Sequence, residues 1–178
     1  MGQRLAVSCL SDTRLLCKLI LLIYFMANNI EYQRIIEKHQ LKPHPEGGYY
    51  RQLYGNDKTG KKDISTIYYM LTDNDISAFH RLHSVTEIWY YHTGEPLSLY
   101  VIDTKGHLSI HNLSPDGEMQ VVILPEQWFA AEIPSKKGFC LVGCAVAPAF
   151  SFENFELGHK DTLLQQFPKY AELFEKLC

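Results

Sequence analysis

Hydrophobic and polar residues alternate along most of the chain between Tyr49 and Glu156. Leu97, Leu99 and Val101 fall on one side of an extended backbone, and Ser98, Tyr100 and Ile102 on the other. That is the period of a strand with something to pack against on both faces. Extended segments are predicted at Tyr49–Tyr54, Ile64–Leu71, Ser77–Leu82, Glu87–His92, Leu97–Asp103, Leu108–Leu113, Met119–Leu124, Trp128–Ile133, Phe139–Ala147 and Ser151–Glu156. Between them lie GNDKTGKK, TDND, TGEP, DTKG, SPDG and PSKKG, rich in residues that turn a chain. Short strands with tight turns and no intervening helix predict an all-β sandwich or barrel.

Helical spacing is confined to the two ends. In NIEYQRIIEKHQL, Ile30, Ile35 and Ile36 sit near one face, Asn29 can cap and Glu31 lies in the first turn, which predicts one short helix. Pro43 and Pro45 end it, and Gly47-Gly48 turn the chain. The tail DTLLQQFPKYAELFEKLC is helical again, through Leu163, Leu164, Phe167, Tyr170, Leu173, Phe174 and Leu177. Pro168 makes it two pieces or one kinked piece.

The start of the chain differs. LLCKLILLIYFM, from Leu15 to Met26, is apolar but carries Lys18 and is shorter than the ~20 residues of a membrane span. Arg4, Arg14 and Lys18 around it suit a signal peptide, yet no small-x-small cleavage site follows. Met1–Phe25 reads as an extension upstream of a start at Met26. Residues 1–28 are therefore placed outside the fold and 29–178 in a single domain. The expected location is cytoplasmic, with targeting to a membrane the lesser alternative.

Composition narrows the function classes. A formal net charge of −3 and the lack of any basic stripe leave no surface to hold nucleic acid. Eleven tyrosines suit strands and call for hydroxyl partners, which an enclosed, partly wet pocket supplies. Five cysteines cannot all pair within one chain; Cys140 and Cys144 share a strand face but lie too far apart along it to bridge. Reduced, buried thiols are expected.

The densest chemistry is HRLHSVTEIWYYHTG, from His80 to Gly94. His80, His83 and Glu87 on neighbouring strands can hold a divalent metal or serve as an acid/base pair. Alternation lets His80 and Glu87 meet inside the barrel, turns His92 away, and leaves His83 pointing outward unless the turn begins at it. Tyr50, Tyr69 and Tyr91 are candidate acids, or core residues with satisfied hydroxyls. His44, Glu46 and Arg51 in HPEGGYYR read as a pocket rim, with Arg51 able to clamp an anion, or as a loop closing one barrel end. Trp89 and Trp128 read as walls that stack on a ligand ring or as core.

Part of this stretch resembles the first cupin motif, G-x5-H-x-H-x3–4-E-x6-G: Glu87 and Gly94 fit its closing half and His80 its first histidine. Leu82 stands at the second histidine, His83 one step later, and Asn74 at the opening glycine. LKPHPEGGYYRQ, from Leu41 to Gln52, resembles the opening signature of a small cupin family of unknown function, provisionally called sugar epimerases. STIYYML, GEPLSL, LVGCAVAPAFSF and FEL follow in the same order.

The resemblance implies a cupin jelly-roll β-barrel with a short N-terminal helix and a C-terminal helical tail. It also implies a homodimer, and acid/base chemistry on a sugar or another polar carbonyl compound. In the second cupin motif, P-x-G-x2-H, Leu124 stands at the proline, Glu126 at the glycine and Phe129 at the metal-binding histidine. Phe cannot ligate, so Phe129 becomes a pocket wall. His80, His83 and Glu87 are left to hold a divalent metal weakly, if one is required at all. The functions that follow are an isomerase or epimerase, a non-catalytic ligand-binding protein, or, third, a metal-dependent enzyme. In each the partner is a small molecule, with no nucleic acid and no membrane.

Overall fold

The computed structural model describes residues 15–20, 31–55 and 63–178. The proposed cap at Asn29, most of residues 1–28 and the turn after Gly55 lie outside them. Residues 15–20 are helical, with Leu15, Leu16, Leu19 and Ile20 exposed. Among the described residues no helix is long and apolar enough to cross a membrane.

Helix α1 covers 31–39. Eleven strands follow: β1 (Lys42–Pro43), β2 (Tyr49–Tyr54), β3 (Ser65–Thr72), β4 (Ile76–Leu82), β5 (Thr86–Gly94), β6 (Leu97–Ile102), β7 (Leu108–Leu113), β8 (Gln120–Ile123), β9 (Trp128–Glu132), β10 (Phe139–Ala147) and β11 (Phe155–Leu157). The tail is α2 (Lys160–Gln166), a 3-10 turn at Pro168–Tyr170 and α3 (Ala171–Leu177). It comes as separate pieces because Pro168 has no N–H to continue the helix.

The strands form two antiparallel sheets, β1-β2-β3-β10-β5-β8 and β11-β4-β9-β6-β7. One expected strand is shorter than predicted. The Ser151 side chain accepts a hydrogen bond from the Glu153 N–H and caps a 3-10 turn at Phe152–Asn154, so only Phe155–Leu157 pairs with β4. Local side-chain capping has won over strand propensity there.

The inner faces of the sheets share one core that includes Leu82, Trp89, Leu97, Leu99, Phe129, Val142 and Cys144. Each large side chain buried there contributes roughly 1.5–3 kcal/mol. A second cluster packs Phe79, Trp128 and Ala130, on the outer face of the five-stranded sheet, against Leu163, Phe174 and Leu177 of the tail. A third packs Tyr32, Ile35 and Ile36 of α1 on Met70, Phe139 and Leu141 of the six-stranded sheet. Helices thus cover both outer faces, and the polar residues that remain inside stand out.

Candidate functional site

The site begins at the turn between β1 and β2. The Gly47 N–H donates to the His44 carbonyl at 3.1 Å, and the His44 N–H donates to Gly48 O at 2.9 Å. Gly47 and Gly48 have φ of 107° and 68°, and a Cβ on either would fall 2.2 Å from Ile76 O or 2.3 Å from Met70 O. Only glycine fits this approach. The Tyr69 hydroxyl donates to Gly47 O at 3.0 Å and pins the turn to β3. The turn places Glu46 over the inner face, with its Oε2 3.4 Å from Nδ1 of His80.

His80 comes from β4 on the facing sheet, where it pairs in register with Phe129 of β9. Its ring lies 4.0 Å from that of Phe129 and 5.5 Å from that of Phe155. Nδ1 is 2.7 Å from Ala78 O; a carbonyl accepts only, so Nδ1 carries the proton and Nε2 keeps its lone pair. Glu87 enters from β5, buried on the same face as Trp89 and Tyr91. Cys144 of β10 stands opposite Trp89, and its thiol lies in the electrostatic neighbourhood of Glu87.

Burial sets the charge state. It raises the Glu46 carboxyl from 4.5 to about 8, with the charge of Glu87 adding to the effect. It raises Glu87 to about 7, against a smaller opposing pull from the nearby Cys144 and Trp89 side chains. The Trp89 indole N–H is nonetheless a weak partner, since no acceptor lies within true hydrogen-bonding distance of it. His44 and His80 are lowered by burial from 6.5 to about 4; for His80 the bond to Ala78 opposes the shift and His44 adds to it. Two carboxyls that hold protons and two imidazoles that refuse them therefore share the space, the opposed environments that acid/base sites are built from.

The structure brings His44, Glu46, Tyr50, Tyr69, His80, Glu87, Trp89 and Phe129 together. The His44 ring meets those of Tyr50 at 4.7 Å and Tyr69 at 5.2 Å, and Trp89 meets Tyr69 and Phe129 edge-on. The Tyr50 hydroxyl has no hydrogen-bond partner among the described residues.

Four other candidates are not part of this group. Tyr91 spends its hydroxyl on Gly94 O at 2.5 Å, further along the strand. Arg51 points to the outer face and donates to His39 O at 3.0 Å, so it does not rim the pocket. Trp128 also faces outward, under the Arg81 guanidinium at 4.5 Å and among the tail helices. His83 is held outside between Glu126 at 2.7 Å and Glu156 at 3.0 Å, and so does not join His80 and Glu87. His92 stacks edge-on with Tyr68 on the outer face. Among the described residues no three of His, Cys, Asp or Glu stand together as an ion requires, and Phe129 fills the space beside His80, so this donor set does not fit a resident metal.

Two inner residues escaped the sequence reading. Cys144 read as a plain buried thiol, although its parity with Val142 and Val146 put it on the inner face. Phe155 carried no signal, because its placement depends on the capped turn before it. A separate groove of about 500 Å³ lies outside the sandwich, between Tyr100, Ile110, Tyr170 and Lys176, away from these groups.

Residues 33–158 match a family model described as the cupin superfamily, DUF985. A protein of Shewanella oneidensis with a solved structure is 34% identical, with a TM-score of 0.74 over 80% of this chain and 94% of that one. A hypothetical protein from Leishmania major is 27% identical, with a TM-score of 0.72 over 80% and 96%. Two more distant structures share the fold. Oxalate decarboxylase from Bacillus subtilis is 15% identical, with a TM-score of 0.54 over 76% and 36%. A dTDP sugar isomerase from Desulfovibrio desulfuricans G20 is 17% identical, with a TM-score of 0.51 over 68% and 82%. No curated protein matches the chain.

Proposed function

The chain belongs to the DUF985 family of the cupin superfamily, and from that premise we propose that its inner cluster is an acid/base centre. The reaction it suits is isomerisation or epimerisation of a sugar or similar polar carbonyl compound. The observation that carries the reading is the Glu46 carboxyl 3.4 Å from His80, with Glu87 buried in the same electrostatic neighbourhood. The sugar isomerase among the fold neighbours is in keeping with it.

The roles follow from basicity. His80, lowered to about 4, is a weak base. Glu87, near 7, is ionised in part at neutral pH and is the better base, while Glu46, near 8, keeps its proton and is the acid. Glu87 removes a proton from the carbon beside a carbonyl, and Glu46 gives one to the carbonyl oxygen. The enol hydroxyl then gives its proton back to Glu46 while Glu87 returns a proton, its own or one exchanged with solvent, to carbon, which restores the carbonyl and both carboxyls. His80 packs beside Glu46 with its Nδ1 proton held by Ala78 O, and Tyr50 offers a free hydroxyl to the bound compound. Tyr69 is unsuited as an acid, because burial raises its phenol well above 10 and Gly47 takes its proton bond.

Exchange of solvent deuterium into a panel of keto- and aldo-sugars tests this. Exchange should rise as pH passes about 7 and fall above about 8. Glu87→Gln should slow it by at least ~100-fold. Ligands that bind with no exchange at any pH would make this a binding protein instead.

Two further expectations join the proposal. A homodimer has support in the unpaired edges of β7 and β8, with Ile110 and Val122 exposed; sedimentation tests it. A cytoplasmic location has support in Cys17, Cys140, Cys144 and Cys178, all free thiols.

A further inference from the structure

We infer that the site takes an uncharged, polyhydroxylated ring, a free sugar or cyclic polyol, and rejects phosphorylated, nucleotide-linked or carboxylated forms. The inference rests on the reading of the inner cluster as a ligand site, and it adds the charge class of the compound. Three observations carry it.

The first is the absence of a countercharge. Glu46 and Glu87 act on each other electrostatically there, and among the described residues no lysine or arginine forms an ion pair with either. The arginines nearest in sequence are committed elsewhere. Arg51 bonds to His39 O on the outer face, and Arg81 pairs with Glu156 at 2.7 Å while lying over Trp128. An anion in this space would find no cation among the described residues to pair with and would lie beside Glu87, ionised in part at neutral pH; a charge taken out of water without a partner is strongly disfavoured.

The second is the Trp89 N–H. It is buried, leans on Glu87 without a true hydrogen bond, and has no other acceptor. A buried donor in that condition wants an oxygen. Together with the unpartnered Tyr50 hydroxyl and the two acid groups, it makes a set of donors matched to hydroxyl and carbonyl oxygens.

The third is the wall. Phe129 and Phe155 lie against the His80 ring, and Trp89 and Tyr69 continue the wall from Phe129. An aromatic wall holds the C–H face of a ring while its edges hydrogen-bond.

Saturation-transfer NMR with D-glucose, D-glucuronate and D-glucosamine at neutral pH separates the cases, because the three share a ring and differ in charge. Glucose should bind, glucosamine should bind at least comparably, and glucuronate should be weaker by about tenfold or more, since its carboxylate finds no cation and meets the part-ionised Glu87. His80→Ala should remove the signal of all three, locating it at this site. Glu87→Gln, which removes the partial charge, should narrow the gap between glucose and glucuronate, and Glu46→Gln, which replaces a group already neutral, should leave it unchanged. Glucuronate binding as tightly as glucose overturns the inference, as does failure of glucose to bind. Deuterium exchange reports separately on catalysis. A protein that ranks the probes as stated without exchanging keeps the charge class and loses the enzyme; one that exchanges while preferring glucuronate does the reverse.

Discussion

Two sets of buried carboxyls sit on opposite faces of this sandwich, and the fold treats them in opposite ways. Glu132, at the end of β9 on the outer face, is fully buried. It accepts from the Tyr100 hydroxyl at 2.9 Å, from the Lys136 ammonium at 2.6 Å and from that of Lys176. Burial alone would raise its pKa, but the two lysines and the tyrosine hold it below the usual value. Glu46 and Glu87, on the inner side, pair with no lysine or arginine among the described residues and are raised to about 8 and 7. The difference teaches that burial does not decide a carboxyl's role; the partners the fold supplies do. Glu132 ties α3 to the sheet through Lys176, whereas the inner pair is kept poised to exchange protons.

The largest expected effect breaks the comparison at its structural end. Glu132→Ala should cost about 3 kcal/mol in urea unfolding, because it removes several charge-assisted bonds under the tail helices. Glu87→Gln, which replaces a group already protonated for part of its time, should stay within about 1 kcal/mol. Equal costs for the two would mean that Glu87 is structural as well.

Next in size is the pH profile of stability. Glu46 and Glu87 have folded pKa values above the unfolded 4.5. Their contribution is therefore full below 4.5 and lost as pH rises through the folded values. His44 and His80 have folded values near 4, below the unfolded 6.5, so theirs is full above 6.5 and lost as pH falls toward 4. Between about 4.5 and 6.5 the two pairs oppose each other group for group, and stability should be nearly flat. From 6.5 to about 8 only the carboxyls change, and stability should fall by roughly 2–3 kcal/mol. Below 4.5 Glu132, with its lowered pKa, adds a loss in acid. Urea midpoints across pH measure this. Glu46→Gln should flatten the alkaline fall and leave the acid limb in place.

Much of the fold was legible because alternation and turn residues agree along the chain. Tyr49–Tyr54, Leu108–Leu113 and Phe139–Ala147 are strands over the predicted residues. β1 was missed, since the two-residue strand Lys42–Pro43 has no length over which a period can show. Within the site, parity placed His80 and Glu87 inside and His92 outside. The same parity opposes Arg51 to Tyr50 and Trp128 to Phe129 and sends both outward; reading Arg51 as a pocket rim misplaced it, whereas Trp128, read as a wall or as core, is core of the outer cluster. Glu46 was legible as a neighbour of the site, but not as its acid. Its position depends on the Gly47-Gly48 turn and on Tyr69 reaching back to it, contacts between residues far apart in sequence. The altered proton affinities were not legible at all, because they depend on what is packed around a side chain.

The smallest expected effect sharpens the comparison most narrowly. His83 is the same residue type as His80 and also faces carboxylates, Glu126 and Glu156, but in a setting where about a third of its side chain meets water. Exposed pairs of this kind contribute about 0–1 kcal/mol, since solvent screens the attraction and the side chains lose freedom in making it. His83→Ala should therefore shift the urea midpoint slightly, by an amount that shrinks as salt is added. It should leave sugar binding and the pH dependence of exchange unchanged. A His83 variant that lost binding or altered that pH dependence would extend the site across the rim and end the distinction between inner and outer groups. If it does neither, the separation of His80 from His83, three residues apart, comes from their backbone: His80 emerges on the inner face of β4, and His83 from the bend that follows it.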